Sequence, residues 1–194
     1  MLNYTPQPDL NALAKRIRAI NTEKGFWPPE GRNWGEVCAL IISELMEALE
    51  AHRKGKRATG GAAKFLIEQY AQGIANWPDH FVKLVKDTVE DELADAVIRI
   101  LDCSDGAIFE DIANWLPDLG LDVPDNFGES LLLTIKEVAH VGLNGVGFVG
   151  FYTRAEWIAN IEAICLNLKI DLWAHVEAKI LYNQTRPAKH GKLY

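Results

Sequence analysis

Apolar residues recur along most of this chain at the three- and four-residue spacing of amphipathic helices. Capping residues support several of the predicted starts: Asp9, Asn33, Asp171, and Thr153 with Glu156 in a T-x-x-E capping box. The predicted helices span about 10–24, 34–53, 62–70, 78–103, 109–116, 129–141, 154–168 and 172–183. The pattern therefore predicts an all-α protein.

Strand character is confined to one short segment, residues 146–152. The overlapping residues 145–150 spell G-x-G-x-x-G, but a dinucleotide-binding loop of that type must follow a strand and open a helix. Here a helical pattern precedes it and the next capping box comes at Thr153, so we interpret 145–150 as a turn or loop. Without repeats or low-complexity linkers, one domain covering 1–194 is the simplest organisation.

Composition and charge narrow the class of protein further. The formal net charge is −7 and the isoelectric point is near 5.2, which argues against a protein that grips a nucleic-acid backbone. No apolar stretch approaches the ~18 residues that a membrane span requires, and the polar start of the chain has no signal-peptide pattern. The three cysteines lie in apolar runs and are expected to be buried thiols. We therefore expect a cytoplasmic protein.

Two pairs of carboxylates interrupt apolar helical runs and are the candidate chemical centre. Glu44 and Glu47 lie three residues apart in the second helix, and Glu92 and Asp95 repeat that spacing in the long helix. An i, i+3 pair lies on one helix face, so two such helices packed together would bring four carboxylates into one place. Hard oxygen ligands of this kind suit Mg²⁺ or Mn²⁺. Such ions bind phosphates and activate water.

Surface roles are the competing interpretation for all of these acids. A single E-x-x-E pattern is common on solvated helix faces, and Asp95 could pair with Arg99 at i, i+4. Glu50, Glu90 and Asp91 are expected to be surface charges. Lys54 lies four residues after Glu50 and Lys86 four before Glu90. Two acidic pairs inside apolar runs favour the metal site over this alternative.

These motifs resemble those of the MazG-like branch of the all-α NTP pyrophosphatases. Residues 44–47 (ELME) match the family's E-x-x-E element, and 92–102 (ELADAVIRILD) are similar to its E-x-x-D helix. Residues 170–192 are similar to the C-terminal K-x-x-x-N-x-x-R-P…H-G-K pattern of phage and bacterial members. Residues 24–27 (KGFW) are similar to an early loop of the family. The combination is specific, whereas E-x-x-E alone is not.

The resemblance implies an activity and a set of roles. It implies Mg²⁺-dependent hydrolysis of a nucleoside or deoxynucleoside triphosphate to the monophosphate and pyrophosphate, serving nucleotide-pool control. Mg²⁺, or alternatively Mn²⁺, would be bound by Glu44, Glu47, Glu92 and Asp95. Any one of these four carboxylates could take the proton of the attacking water. The substrate would be held by Lys179, Asn183, Arg186, Lys189 and Trp27.

Alternatives remain open for several of these residues. Lys179 could be a solvated helix lysine and the basic residues after it a disordered tail, while Phe26 and Trp27 could serve packing rather than base stacking. His190 is expected to be structural or peripheral.

The resemblance covers residues 1–103 and 169–192, so about 104–168 form a mostly helical insertion before the last helix. A homodimer or homotetramer is expected, with Trp115, Leu116 and the apolar segments 131–133 and 146–151 as candidate interface. Two other functions compete: a non-catalytic nucleotide-sensing or partner-binding helical module, and a phosphohydrolase acting on another nucleotide, such as an alarmone or a nucleotide diphosphate sugar.

Overall fold

The computed structural model describes residues 4–104, 124–144 and 151–188, and within these ranges the chain forms helices and no strand. The predicted all-α class is thereby confirmed. The helices are α1 (Leu10–Glu23), α2 (Trp34–Arg53), α3 (Ala62–Ala71), α4 (Trp77–Leu84), α5 (Val89–Asp102), α6 (Phe127–Asn144), α7 (Phe151–Asn167) and α8 (Leu172–Thr185).

Side-chain caps fix three of the predicted helix starts. The Asp9 carboxylate accepts hydrogen bonds from the backbone N–H groups of Asn11 and Ala12, and the Asn33 side chain accepts one from Glu36. Asp171 does the same for α8, where its carboxylate accepts the N–H of Ala174. These bonds satisfy backbone N–H groups of the first helical turn, which have no acceptor within the helix.

The prediction of one long helix from Pro78 to about Cys103 is wrong, because the chain forms two helices there, α4 and α5. Asp87 between them adopts a left-handed backbone with φ of 60°. Thr88 then caps α5, its hydroxyl accepting the N–H of Asp91 at 3.3 Å. The T-x-x-D spacing of these residues is an N-cap signal that outweighs the continuous helical pattern.

Helix α5 lies at the centre of the fold. It packs against α1, α2, α7 and α8, and α2 packs in turn against α6. Its apolar residues Leu93, Val97 and Ile100 are fully buried. A smaller second core joins α3 and α4 to α8 around Phe81 and Leu66. Any polar side chain of α5 is therefore held on a rigid, densely packed element.

The predicted insertion contributes to the main core. Trp157, Ile158 and Ile161 of α7 and Val138 of α6 are fully buried within it. Helix α6 approaches α2 closely at Gly142, where an added Cβ would lie 2.9 Å from the Cβ of Cys38. Helix α6 thus helps to hold α2, the helix of the first acidic pair, in place.

Other sequence predictions in this region have mixed outcomes. Helix α7 begins at Phe151, so Thr153 lies inside it and is not its cap. Leu131 belongs to the core, whereas Leu132 and Leu133 are exposed. The predicted helix 109–116, with Trp115 and Leu116, and residues 145–150 lie outside the described residues. Within the described ranges, no helix combines the length and apolarity needed to cross a bilayer.

His175 gives the fold a predicted pH dependence. Burial lowers the pKa of His175 to about 4, although the nearby carboxylates of Glu90 and Asp171 oppose this effect and Arg57 adds to it. The unfolded chain binds this proton near pH 6.5 and the folded chain does not, so stability falls as the pH drops between these values. We expect the wild type to lose about 2–3 kcal/mol relative to His175→Gln between pH 7 and 4.5.

Urea unfolding of both proteins at several pH values measures this difference. Because the other titrating groups are common to both, the gap between the two curves isolates His175. Curves that run parallel across this range would show that His175 is not held neutral in the folded protein.

Candidate metal and nucleotide site

A cavity of about 540 Å³ lies along α2, α5 and α8, and it collects most of the chemically interesting residues. Seven carboxylates and five cationic side chains line it. The carboxylates are Glu44, Glu47, Asp87, Asp91, Glu92, Asp95 and Asp102, and the cations are Arg32, Lys86, Arg99, Lys179 and Arg186. The four carboxylates predicted from spacing are thus brought to one cavity, as are Lys179, Asn183 and Arg186.

Three of the predicted ligands are close enough to share one ion. Glu44 and Glu47 of α2 and Glu92 of α5 each offer a carboxylate oxygen, and these oxygens lie within 4.8 Å of one another. Glu44 and Glu92 are buried, whereas Glu47 is exposed to solvent. This is a ligand set of the kind that hard divalent cations prefer.

The electrostatics of this group also fit a cation. Burial and the charges of Asp91 and Asp95 raise the pKa of Glu92 to about 8. Burial and Asp95 raise the pKa of Glu44, partly offset by Arg99. In the described part of the chain, neither Glu47 nor Glu92 forms an ion pair. Clustered carboxylates without a counter-ion are costly, and a bound cation removes that cost.

Arg99 pairs across helices rather than along its own. The sequence suggested an i, i+4 pair with Asp95, but Nε and Nη2 of Arg99 both lie 2.5 Å from Oε1 of Glu44. The guanidinium therefore ties α5 to α2 and orients the first carboxylate of the cluster.

Lys179 is a buried ion-pair residue and not a solvated helix lysine. Its side chain is 5% exposed, and Nζ lies 2.6 Å from Oδ1 of Asp91 and 2.8 Å from Oδ2 of Asp95. Burial opposes the charge on Lys179, but the Asp95 and Asp91 carboxylates outweigh it and raise the pKa of the amine. Asp95 is thus held by a lysine that lines the same cavity as the three clustered glutamates.

The expectation that Glu90 and Asp91 are surface charges is wrong. Glu90 is buried, accepts from Nε of Arg57 at 2.7 Å and does not pair with Lys86. Asp91 is also buried, and its second oxygen accepts the N–H of Asp87 at 3.0 Å. The run of three acids at the start of α5 is turned inward because α5 is packed on nearly every side. Glu50, in contrast, is the predicted surface charge, paired with Lys54 at 2.9 Å.

A second carboxylate group overlaps the first. Asp87, Asp91 and Glu92 also offer oxygens within 4.8 Å of one another, so Glu92 belongs to both groups. Sequence reasoning missed Asp87 and Asp91 as site residues. The signal was Thr88, which caps the start of α5 and thereby places Asp87, Asp91 and Glu92 around its first turn.

Helix α8 supplies polar groups further along the cavity. Asn183 lies one turn after Lys179, and its Oδ1 is buried without a hydrogen-bond partner. Arg186 follows, and Lys24 Nζ fixes this end of the helix by donating to the backbone oxygens of Gln184 and Arg186. Lys189, the other basic residue predicted to bind substrate, lies outside the described residues, as does His190.

The two aromatic residues of the loop before α2 have different positions. Phe26 lines the large cavity, together with Tyr182 of α8. Trp27 lines a small adjoining cavity instead. Its ring lies 3.5 Å from the Arg18 guanidinium and its Nε1 donates to Asp102 at 3.0 Å. Trp27, predicted to bind substrate, therefore contacts other side chains of the protein and does not line the main cavity.

Several residues that line the cavity were not predicted from the sequence to be site residues: Asn21, Arg32, Lys86, Asp87, Asp91, Arg99, Asp102 and Tyr182. Asp102 ends the stretch that resembles the family's second acidic helix, and its spacing of seven from Asp95 is two helical turns on the same face. That periodicity was available from the sequence. The others depend on how loops and helices pack.

No known protein-family model, curated protein or solved structure matches this chain.

Proposed function

We propose that this protein is a metal-dependent nucleoside triphosphate pyrophosphohydrolase resembling the MazG-like branch of the all-α NTP pyrophosphatases. The observation that carries the proposal is the single cavity that joins Glu44 and Glu47 of α2, Glu92 and Asp95 of α5, and Lys179 of α8. Its volume is in the range of small-molecule sites.

Glu44, Glu47 and Glu92 would hold Mg²⁺, or Mn²⁺, with Asp95 beside them. A bound ion of this type lowers the pKa of water and neutralises phosphate charge. Arg99 keeps Glu44 oriented, and the packed core around α5 keeps Glu92 in place. An oxygen of this carboxylate cluster takes the proton of the attacking water.

The reaction is a displacement at the α-phosphorus. The water oxygen forms a bond to that phosphorus, the bridging bond to the β-phosphate breaks, and pyrophosphate leaves. The triphosphate would lie by the carboxylates, where Lys86 and Lys179 supply positive charge. The nucleoside would extend along the cavity toward Phe26, Asn21 and Tyr182, which offer apolar surface and hydrogen-bonding groups.

Assembly into a homodimer or homotetramer stays part of this proposal. The exposed side chains of Leu132, Leu133 and Leu143 on α6 are apolar surface that a second copy would cover.

The proposal is tested by incubating the protein with each of the eight standard NTPs and dNTPs plus Mg²⁺ and separating the products by ion-exchange chromatography. We expect monophosphate and pyrophosphate from at least one nucleotide, and none when EDTA replaces Mg²⁺. Formation of diphosphate and orthophosphate would show that the protein cuts a different phosphoanhydride bond. Nucleotide binding without any turnover would favour the sensing module, and turnover only of an alarmone or a nucleotide diphosphate sugar would change the substrate class.

A further inference from the structure

We propose that Lys179 is an exchangeable internal cation: a divalent metal ion displaces its ammonium from Asp95, and the released ammonium then binds the phosphate chain. This inference rests on the proposed function, because it concerns the same cavity. It adds an order of events, in which metal binding prepares the site for a polyanion.

Asp95 is the carboxylate at which the exchange takes place. Its spacing from Glu92 places it on the face that carries the metal-binding carboxylates, yet its Oδ2 lies 2.8 Å from Nζ of Lys179. The three glutamates that can share an ion do not include it. The lysine therefore lies where a second cation would contact Asp95.

The connection of Lys179 to Asp91 permits the exchange. Asp91 binds Nζ through Oδ1 at 2.6 Å and is itself anchored through Oδ2 by the N–H of Asp87. A lysine has four flexible methylene groups, so its ammonium can leave Asp95 while Asp91 stays within reach. Asn183, one turn along α8, offers a further unsatisfied polar atom in the same cavity.

The exchange changes the charge that the cavity presents to a ligand. Before metal binding, the lysine neutralises carboxylates, and the cavity carries more acidic than basic groups. A divalent ion takes over that neutralisation and leaves the ammonium without its second carboxylate. The cavity then holds an additional positive charge, and a polyphosphate is the ligand that matches it.

The first test is the chemical reactivity of Lys179 in the wild-type protein. Trace labelling with acetic anhydride, followed by mass spectrometry, measures each lysine separately, and the exposed Lys136 on α6 serves as internal reference. A buried lysine that is paired with two carboxylates reacts slowly. We expect saturating Mg²⁺ to raise the Lys179 rate about tenfold relative to Lys136, and pyrophosphate added afterwards to lower it again. A rate unchanged by bound Mg²⁺ would overturn the exchange.

Calorimetry with Mg²⁺ and pyrophosphate separates this inference from the proposed function. In the wild type, saturating Mg²⁺ should tighten pyrophosphate binding at least tenfold. Lys179→Met should bind Mg²⁺ more tightly, because the competing ammonium is absent, and lose most of that enhancement, whereas Lys179→Arg should retain part of it. Mg²⁺ binding with no such coupling overturns the exchange and leaves the hydrolase proposal standing; no binding of Mg²⁺ or Mn²⁺ at all overturns both.

Discussion

Glu47→Gln is expected to lower kcat about a thousandfold while leaving the fold intact. The side chain is exposed to the cavity and forms no ion pair in the described structure, so the amide costs no packing or salt bridge. It does remove one negative charge from the three-carboxylate group that would hold the metal. Loss of one electrostatic contribution to the transition state typically costs about 10²–10³ in rate. Steady-state kinetics at saturating nucleotide and Mg²⁺ measure the effect.

Glu50→Gln is the matched control for this variant. It makes the same chemical change one turn along α2, at a residue that pairs with Lys54 and Arg53 on the surface and does not line the cavity. Its kcat should stay within about twofold of wild type, since such surface pairs contribute little. Equal activity of both variants and the wild type would show that Glu47 takes no part in the reaction.

Lys179→Met is expected to give the largest loss of stability. Methionine preserves most of the volume of the side chain but removes the ammonium that lies between Asp91 and Asp95. Asp91 is almost fully buried and would be left with an uncompensated charge. Removing one partner of a buried ion pair costs about 3–5 kcal/mol. Urea unfolding in EDTA at pH 8 measures the free energy of unfolding.

Lys86→Met provides the comparison, because Lys86 lines the same cavity but pairs with the exposed Asp87. It should cost no more than about 1 kcal/mol. Mg²⁺ should restore more stability to Lys179→Met than to the wild type, since a metal ion near Asp95 replaces the missing charge. Equal stability of the two variants in EDTA would contradict the role assigned to the buried lysine.

The fold class follows from the sequence because the information is local. Periodic apolar positions and the caps at Asp9, Asn33 and Asp171 each depend on a few adjacent residues, and the helices they predict are present. The break between α4 and α5 was also encoded locally, by Thr88, but the continuous helical pattern obscured it. The packing of α6 against α2 is non-local and was not predictable.

The candidate site shows the same difference between local features, which the sequence predicts, and tertiary packing, which it does not. The i, i+3 spacing places Glu44 and Glu47 on one face, and Glu92 and Asp95 on another, without knowledge of the tertiary structure. Whether an acid is buried, however, depends on what its helix packs against. Glu90 and Asp91 were therefore assigned to the surface although α5 is central to the fold.

Ion-pair partners from distant elements could not be read from the sequence either. Arg99 has a carboxylate at i−4, which satisfies the rule for a local pair, yet its guanidinium binds Glu44 of α2. Lys179 lies 84 residues from Asp95, and only the packing of α8 on α5 joins them. These two cations organise the cavity, and both depend on tertiary contacts.

The proposed reaction is metal-dependent attack of water on the α-phosphorus of a nucleoside triphosphate in this cavity. The most direct measurement is ³¹P NMR of the reaction in ¹⁸O-labelled water, with the nucleotide that turns over fastest, in Mg²⁺ and in EDTA. We expect pyrophosphate and a monophosphate that carries the ¹⁸O label in Mg²⁺, and unchanged nucleotide in EDTA. Label in the pyrophosphate, release of orthophosphate, or the same products in EDTA would contradict it.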